Sequence, residues 1–214
     1  MVALQSGRPS QIIESSPRWG VRSAQLKFRR PGSDQTVTLF PMVHIGEAAF
    51  YDLVYRAACD HEVMLVEGVK SPVVNRLTSS YRWIGQRLDL IVQPRHPLGN
   101  ACRAEVINAD LSGAEFEQVW RELPIWQRWM LAFAAPLWGL RMRWFGTREM
   151  IAGRLGMDDA MSRDELLRWC PESALLDRVL LDRRDARLIE ILSEQIATSR
   201  SIAWCSGRVI CERL

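Results

Sequence analysis

The chain has 214 residues, 48% of them hydrophobic, and a formal net charge of +3. This length fits one domain with a sizeable core. Charges of both signs are mixed along the chain, so the composition predicts no nucleic-acid partner.

Residues 1–22 form a polar N-terminal extension without the apolar stretch of a signal peptide, and residues 23–214 are predicted to form one domain. Five cysteines are present, and no two of them form a Cys-x-x-Cys motif. An odd count without such a motif favours free thiols over a disulfide framework. The sequence therefore predicts a cytoplasmic protein.

The first predicted elements are a hairpin and a strand–helix–strand unit. Ala24 to Arg29 and Thr36 to Val43 are predicted strands, joined by a turn at residues 31–34. Glu47 to His61 has apolar residues at helical spacing, and Val63 to Val66 is an apolar run too short for a helix. These patterns predict an α/β fold with a mixed sheet that contains a parallel strand–helix–strand unit.

Mostly helical segments are predicted over about residues 78–170. Tyr81 to Leu90 is a predicted helix, and Glu105 to Asp110 is a predicted short core strand. Ser112 and Glu115 have the spacing of a capping box, which predicts that a helix begins there.

The segment from Trp126 to Phe145 allows two interpretations. Its uncharged part, Trp129 to Leu140, has 12 residues, whereas a membrane-spanning helix needs roughly 20. Pro136 and Gly139 weaken it further as a helix. Arginines and tryptophans near both ends are typical of an interfacial anchor. A helix packed on the protein and a peripheral membrane contact both remain open.

Two residues at predicted strand ends can carry chemistry. His44 ends the second predicted strand and Glu67 follows the third. If these strands are neighbours, an imidazole and a carboxylate meet at the carboxyl edge of the sheet, where they can bind a divalent metal or act as an acid–base pair. Glu47, one helical turn later, can add a third oxygen. The alternative is that each is an ordinary loop or capping residue. His61 is predicted to be solvated, and His96 to lie in a loop.

Three segments resemble motifs of the TraB/GumN/Tiki group of metal-dependent hydrolases. Leu39 to Tyr51 resembles the first motif, a strand leading to Gly-x-x-His and then a helix, although Pro41 replaces the glycine. Val63 to Gly68 is similar to the next strand, which ends in the group's glutamate. Asp182 to Arg187 resembles a charged segment near the group's last helix, which carries an arginine.

The resemblance implies an α/β fold shared with erythromycin-esterase-like and ChaN-like proteins, in which about residues 78–170 are a helical insertion. It implies a divalent metal ion (manganese, cobalt or zinc) and, as in Tiki proteins, hydrolysis of peptide bonds. The substrate would be a peptide or a small molecule. His44 and Glu67 would be the metal or acid–base residues, and Arg184 would hold an anion or pair with a catalytic carboxylate.

The end of the chain departs from this group. A last helix is predicted over Ala174 to Ile196, but the group's second Gly-x-x-His, preceded by an apolar strand, is absent from Ser201 to Leu214. Charged residues also make this tail a poor strand. A shifted reading of suitable codons for Ala203 to Leu214 would restore both features, so we expect a frameshift, which sequencing the source DNA checks. We therefore expect a missing or altered C-terminal strand and weak or absent activity.

Two other functions fit the sequence. One is a non-catalytic, membrane-associated regulatory protein that uses Trp126 to Phe145, and its partitioning with membranes would distinguish it from a hydrolase. The other is heme or iron binding, as in ChaN-like proteins, for which His44 and Tyr51 are the only candidate ligands.

Overall fold

A five-stranded mixed sheet with apolar clusters on both of its faces forms the centre of the fold. The computed structural model describes residues 13–16, 20–29, 31–95, 102–148, 150 and 182–206. The strands are β1 (Ile13–Ser16), β2 (Gly20–Ser23), β3 (Leu26–Arg29), β4 (Thr36–Pro41), β5 (Ile45–Gly46), β6 (Val63–Val66), β7 (Ile91–Val92), β8 (Glu105–Asn108) and β9 (Ser201–Ser206). The helices are α1 (Ala48–Ala58), α2 (Pro72–Leu77), α3 (Ser79–Leu88), α4 (Gly113–Glu122), α5 (Ile125–Phe145) and α6 (Arg183–Thr198).

The strand order in the central sheet is β3-β4-β9-β6-β8. β3 is antiparallel to β4, whereas β4, β9, β6 and β8 are parallel to one another. β6 is buried along its whole length and β9 from its second residue on. Both strands are apolar at consecutive positions because an inner parallel strand packs on both of its faces.

The two faces of the sheet are covered by different helices. On one face, Tyr51 and Tyr55 of α1 pack with Ala203 and Cys205 of β9. On the other face, leucines and isoleucines of α6 pack with Ile202 and Trp204 of the same strand. Alternate residues of β9 therefore belong to opposite apolar clusters, as the period of two in a strand requires.

Several predicted elements are confirmed. The predicted hairpin is present as β3 and β4, and the strand–helix–strand unit contains α1 and β6. The helix predicted over residues 81–90 is α3, and the strand predicted over residues 105–110 is β8. The prediction of a core strand is wrong for β8, which lies at the edge of the sheet with most of its residues exposed. Ser112 and Glu115 make the reciprocal hydrogen bonds of a capping box at the start of α4. These elements follow from local patterns of apolar residues and caps.

β9 shows that the C-terminal strand is present, so the expectation of a missing strand is wrong, whereas an altered one stays a prediction. It lies in the middle of the sheet, paired with β4 on one side and β6 on the other. The charged residues that argue against a strand all follow residue 206, and Ile202 to Cys205 is an uncharged run buried on both faces. The expected frameshift and the second Gly-x-x-His concern residues that lie mostly outside the described ones. The same holds for the start of the last helix, described only from Arg183.

β9 also changes the expected relation between β4 and β6. The two strands are parallel, as the strand–helix–strand unit predicts, but β9 lies between them. Two adjacent strands in the sequence are neighbours in the sheet only if no later strand inserts between them. The predicted pairing of His44 with Glu67 requires β4 and β6 to be neighbours. They are not neighbours in the sheet.

α5 is one continuous helix of 21 residues, although Pro136 and Gly139 predict a weak helix there. A proline inside a helix removes one backbone donor and costs about 3 kcal/mol. α5 packs against α3, and tertiary packing of this kind stabilises a helix beyond its intrinsic propensity. Gly139 approaches Ser80 so closely that an added Cβ would lie 2.1 Å from the Cβ of Ser80. Among the described residues, no helix combines the length and the apolar character needed to cross a membrane.

Cys59 and Cys102 form a disulfide, with their Cα atoms 4.9 Å apart, so the prediction of free thiols is wrong for this pair. Cys59 lies four residues before β6 and Cys102 three residues before β8. These strands are parallel neighbours, with Val63 opposite Glu105, so both cysteines enter the sheet at the same edge. The two cysteines are close because β6 and β8 are neighbours, and the spacing of cysteines in the sequence does not predict which strands are neighbours. The cytoplasmic location, inferred from free thiols, stays a prediction.

Replacing Cys59 by serine is expected to lower the free energy of unfolding by about 3–4 kcal/mol. The disulfide joins residues 43 positions apart, and losing this cross-link increases the conformational freedom of the unfolded chain. Urea unfolding with and without a reductant measures the effect. Reductant should destabilise the original chain and leave Cys59→Ser unchanged, and equal stability of the original chain in both conditions would contradict the prediction.

Candidate active site

Polar side chains gather where the parallel strands of the central sheet end. Glu67 follows β6 directly, Ser206 is the last residue of β9, and Asp110 follows β8 by two residues. α6 brings Arg184 to the same edge, where it contacts Asp110. In parallel α/β sheets, ligands bind outside the carboxyl ends of the strands. This edge is therefore the candidate active site.

Glu67 is held by the neighbouring strand. Val66 lies opposite Cys205 in the pairing of β6 with β9, so the residues that follow them are side by side. The hydroxyl of the buried Ser206 donates a hydrogen bond to Oε1 of the half-buried Glu67. The backbone N–H of Met42 donates to the Ser206 carbonyl at 2.7 Å, which places the segment after β4 against the same strand end.

Asp110 forms the most buried charged pair described at this edge. Its side chain is 1% exposed, and Nε of Arg184 lies 2.7 Å from its Oδ1 while Nη2 contacts Oδ2. The backbone N–H groups of Gly68 and Leu111 also donate to the carboxylate, at 3.1 and 2.9 Å. A buried carboxylate needs such donors because it has left water. Asp110 therefore ties the loop after β6 to α6.

Arg184 keeps its charge at this edge. Burial acts to lower the pKa of the guanidinium, but the hydrogen bond and charge of Asp110, with the charges of Glu67 and Asp185, raise that pKa above its ordinary value. The side chain remains 26% exposed. Arg184 thus supplies a fixed positive charge close to the Glu67 carboxylate, with part of its surface open to solvent.

Cys205 lies beneath the same edge and is a free, buried thiol. Burial, and then the charge of Glu67, raise the pKa of the Cys205 thiol to about 12. Such a thiol is protonated at neutral pH and is therefore a poor nucleophile. Cys170 and Cys211 lie outside the described residues.

The crevice at this edge is small. It is lined by Glu67, Asp110, Arg184 and Asp185 with two apolar neighbours, and its volume is about 10 Å³. This is near the smallest volume that holds one water molecule. The crevice among the described residues is therefore too small for a substrate, which would have to bind over the edge.

The other two predicted site residues lie on the loop between β4 and α1. His44 is exposed, and its ring stacks on Tyr81 with the ring centroids 5.9 Å apart. Its backbone carbonyl accepts a hydrogen bond from the backbone N–H of Gln93. Glu47 is also exposed, and its carboxylate lies 2.9 Å from Nη1 of Arg148. The pairing of β5 with β7 fixes this loop.

The described residues do not by themselves fit the metal site that the sequence predicts. Among them, no three side chains of His, Cys, Asp or Glu come together as a ligand set. His44 and Glu67 follow strands separated by β9, and Glu47 is paired with Arg148. A catalytic zinc site uses three protein ligands. The described residues fit acid–base chemistry at Glu67 better than they fit a metal site. The divalent metal ion stays a prediction.

Two expectations about other polar residues are corrected. Tyr51 is fully buried, its hydroxyl donates to the Val43 carbonyl at 2.8 Å, and burial raises the pKa of the phenol, so it is not exposed as an iron ligand. His61 is half-buried and not solvated, because the turn before β6 places its Nε2 2.9 Å from Oγ1 of Thr38. His96 lies outside the described residues.

Asp110 and Ser206 are functional candidates that sequence reasoning missed. Asp110 follows an apolar strand in the same way as Glu67, so the rule that selected Glu67 could have selected it. Ser206 could not be selected while the tail was expected to form no regular strand. Arg184, which was selected, does pair with a carboxylate at the predicted edge.

Comparisons with known proteins identify no relative. No protein-family model, no curated protein and no solved structure matches the chain. The resemblance to the TraB/GumN/Tiki group therefore rests on the motifs around His44, Glu67 and Arg184.

Proposed function

We propose that the carboxyl edge of the sheet is a weakly active hydrolytic site of the TraB/GumN type, with Glu67 as its acid–base residue. One observation carries this proposal: Glu67, Ser206 and the Asp110–Arg184 pair converge at the ends of three adjacent parallel strands. A carboxylate can take a proton from water, and a fixed arginine can stabilise the negative charge that develops on the substrate.

The proposed roles follow from the contacts. Ser206 orients Glu67 through its hydrogen bond to Oε1. Asp110 holds Arg184 in one orientation by accepting from both Nε and Nη2, and the accessible part of the guanidinium faces solvent, from which a substrate arrives. The resemblance supports a peptide or a small ester or amide as substrate. We expect weak activity because the described residues provide one acid–base carboxylate and not a complete catalytic set.

Replacing Glu67 by glutamine is expected to lower kcat/KM by about 100-fold or more, since the amide cannot take up the proton. The assay measures hydrolysis of a panel of chromogenic esters and peptide amides. Glu62→Gln is the matched control, because Glu62 precedes β6 directly, at the opposite end of the strand from Glu67, and its carboxylate accepts a hydrogen bond from the backbone N–H of Arg200. Equal rates for all three proteins, or no turnover by the original chain on any substrate, would overturn the proposal.

Calorimetric titration of the same proteins and of His44→Ala with Mn²⁺ and Zn²⁺ tests the metal prediction. Binding that disappears in His44→Ala and in Glu67→Gln would assign the ion to both residues. Turnover that depends on Glu67 without any metal binding would leave the hydrolytic proposal standing and remove the metal from it.

A further inference from the structure

α5 carries a row of exposed apolar side chains on the face that does not pack against α3. Gln127, Gly139 and Met142 lie on the buried face, with Gly139 against Ser80. Successive members of the exposed row are separated by three or four positions, except for one adjacent pair, so they share one side of the helix. The row consists of Trp126, Trp129, Met130, Phe133, Leu137, Leu140 and Trp144.

The charges of α5 indicate what can cover this row. The helix contains Arg128, Arg141 and Arg143 and no acidic residue. Tryptophans lie near both ends of the row, with exposed fractions of 60% for Trp129 and 62% for Trp144. Aromatic residues at helix ends with flanking arginines suit the interface between lipid head groups and acyl chains. A second copy of the chain would bring arginines against arginines, which disfavours self-association through this face.

A groove beside the row provides a second, independent observation. It has a volume of about 410 Å³ between α2 and α5, and Arg76, Arg128, Trp120 and Trp129 are among its lining residues. Neither arginine side chain makes a hydrogen bond or ion pair with any described residue. Nε of Arg128 is buried without a partner in this part of the chain. A buried charged donor without an acceptor is costly, so an anionic group in this groove would be stabilised.

We propose that α5 lies in the surface of a bilayer that contains anionic phospholipids. The exposed row enters the boundary between head groups and acyl chains, and the groove holds the phosphate of one lipid between Arg76 and Arg128. The aromatic walls formed by Trp120 and Trp129 contact the first part of its acyl chains. This inference is independent of the chemistry at Glu67, and either can fail without the other.

Co-sedimentation of the full chain with lipid vesicles tests the proposal. The chain should bind vesicles of phosphatidylcholine mixed with phosphatidylglycerol more tightly than vesicles of phosphatidylcholine alone, and added salt should weaken the difference. Leu137→Ser should reduce binding about tenfold or more. Leu53→Ser is the matched control, because Leu53 of α1 is 69% exposed and Leu137 is 66% exposed. Its binding should equal that of the original chain.

The groove is tested by Arg76→Gln and Arg128→Gln. Each should reduce binding to the anionic vesicles about fivefold and reduce binding to phosphatidylcholine less, because choline neutralises the charge of its phosphate. Arg103→Gln, at an exposed arginine before β8, should change neither. Thermal unfolding confirms that each variant is folded. Equal binding to both vesicle types, or equal binding by Leu137→Ser, would overturn the proposal. An absence of vesicle binding would also overturn the proposal. The row would then be covered by a second copy of the chain or by another segment of the same chain.

Discussion

Replacing Arg184 by alanine is expected to lower the free energy of unfolding by about 3–5 kcal/mol, because the Asp110 carboxylate would remain buried without its charged partner. The Asp110 side chain is 1% exposed, and both of its oxygens contact the guanidinium. The remaining backbone donors, from Gly68 and Leu111, cannot neutralise the charge. Urea unfolding followed by circular dichroism measures the loss.

Arg183→Ala is the matched control for this prediction. Arg183 is the preceding residue of α6 and pairs with Glu122 through two contacts of 2.9 and 3.0 Å, but the two side chains are 49% and 39% exposed. An exposed pair of this kind contributes less than about 1 kcal/mol. Both variants remove an arginine from α6, but one arginine belongs to a buried ion pair and the other to an exposed ion pair. Equal losses of stability would therefore contradict the burial of Asp110.

Removing both members of the buried pair should restore part of the lost stability. In Asp110→Asn combined with Arg184→Met, no unpaired charge remains, and the amide oxygen can still accept one of the two backbone hydrogen bonds, which go to different oxygens of the carboxylate. The double variant should therefore be more stable than Arg184→Ala, although the groups are in direct contact and their effects do not add. In the hydrolysis assay it should be inactive, because the proposed positive charge beside Glu67 is gone.

Local elements of this fold could be predicted because their signals lie within a few neighbouring residues. The apolar run Val63–Val66 is too short for a helix and has no charge, and it forms β6. The spacing of Ser112 and Glu115 specifies reciprocal hydrogen bonds at a helix start, and these are present. Such patterns depend on backbone geometry over one turn or one strand.

The strand order could not be predicted from the same signals. Ser201–Ser206 inserts between two strands that precede it by more than 130 residues, and nothing in its own sequence specifies that position. The Cys59–Cys102 disulfide and the Ser206–Glu67 contact both depend on this order. The carboxyl edge was predicted as the site because a carboxylate after an apolar strand is a local signal, whereas the partners that converge on it come from distant segments.

Replacing Trp204 by alanine tests the central position of β9 and should lower the free energy of unfolding by about 3–5 kcal/mol. Trp204 is 2% exposed and packs in the cluster formed by β4, β6 and α6, with Leu39, Leu65 and Leu192 among its members. Its removal would leave a cavity between the sheet and α6 that these leucines can fill only in part.

Trp204→Phe should be far less destabilising than Trp204→Ala. Phenylalanine keeps most of the buried apolar surface, and it removes an indole N–H that is buried without a hydrogen-bond partner among the described residues. Trp144→Ala is the matched control on the surface, because Trp144 is 62% exposed and its loss should change stability by less than about 0.5 kcal/mol. The three variants are compared by urea unfolding without lipid. If Trp204→Ala resembled Trp144→Ala, β9 could not lie at the centre of the sheet, and the pairing of Ser206 with Glu67 would lose its structural basis.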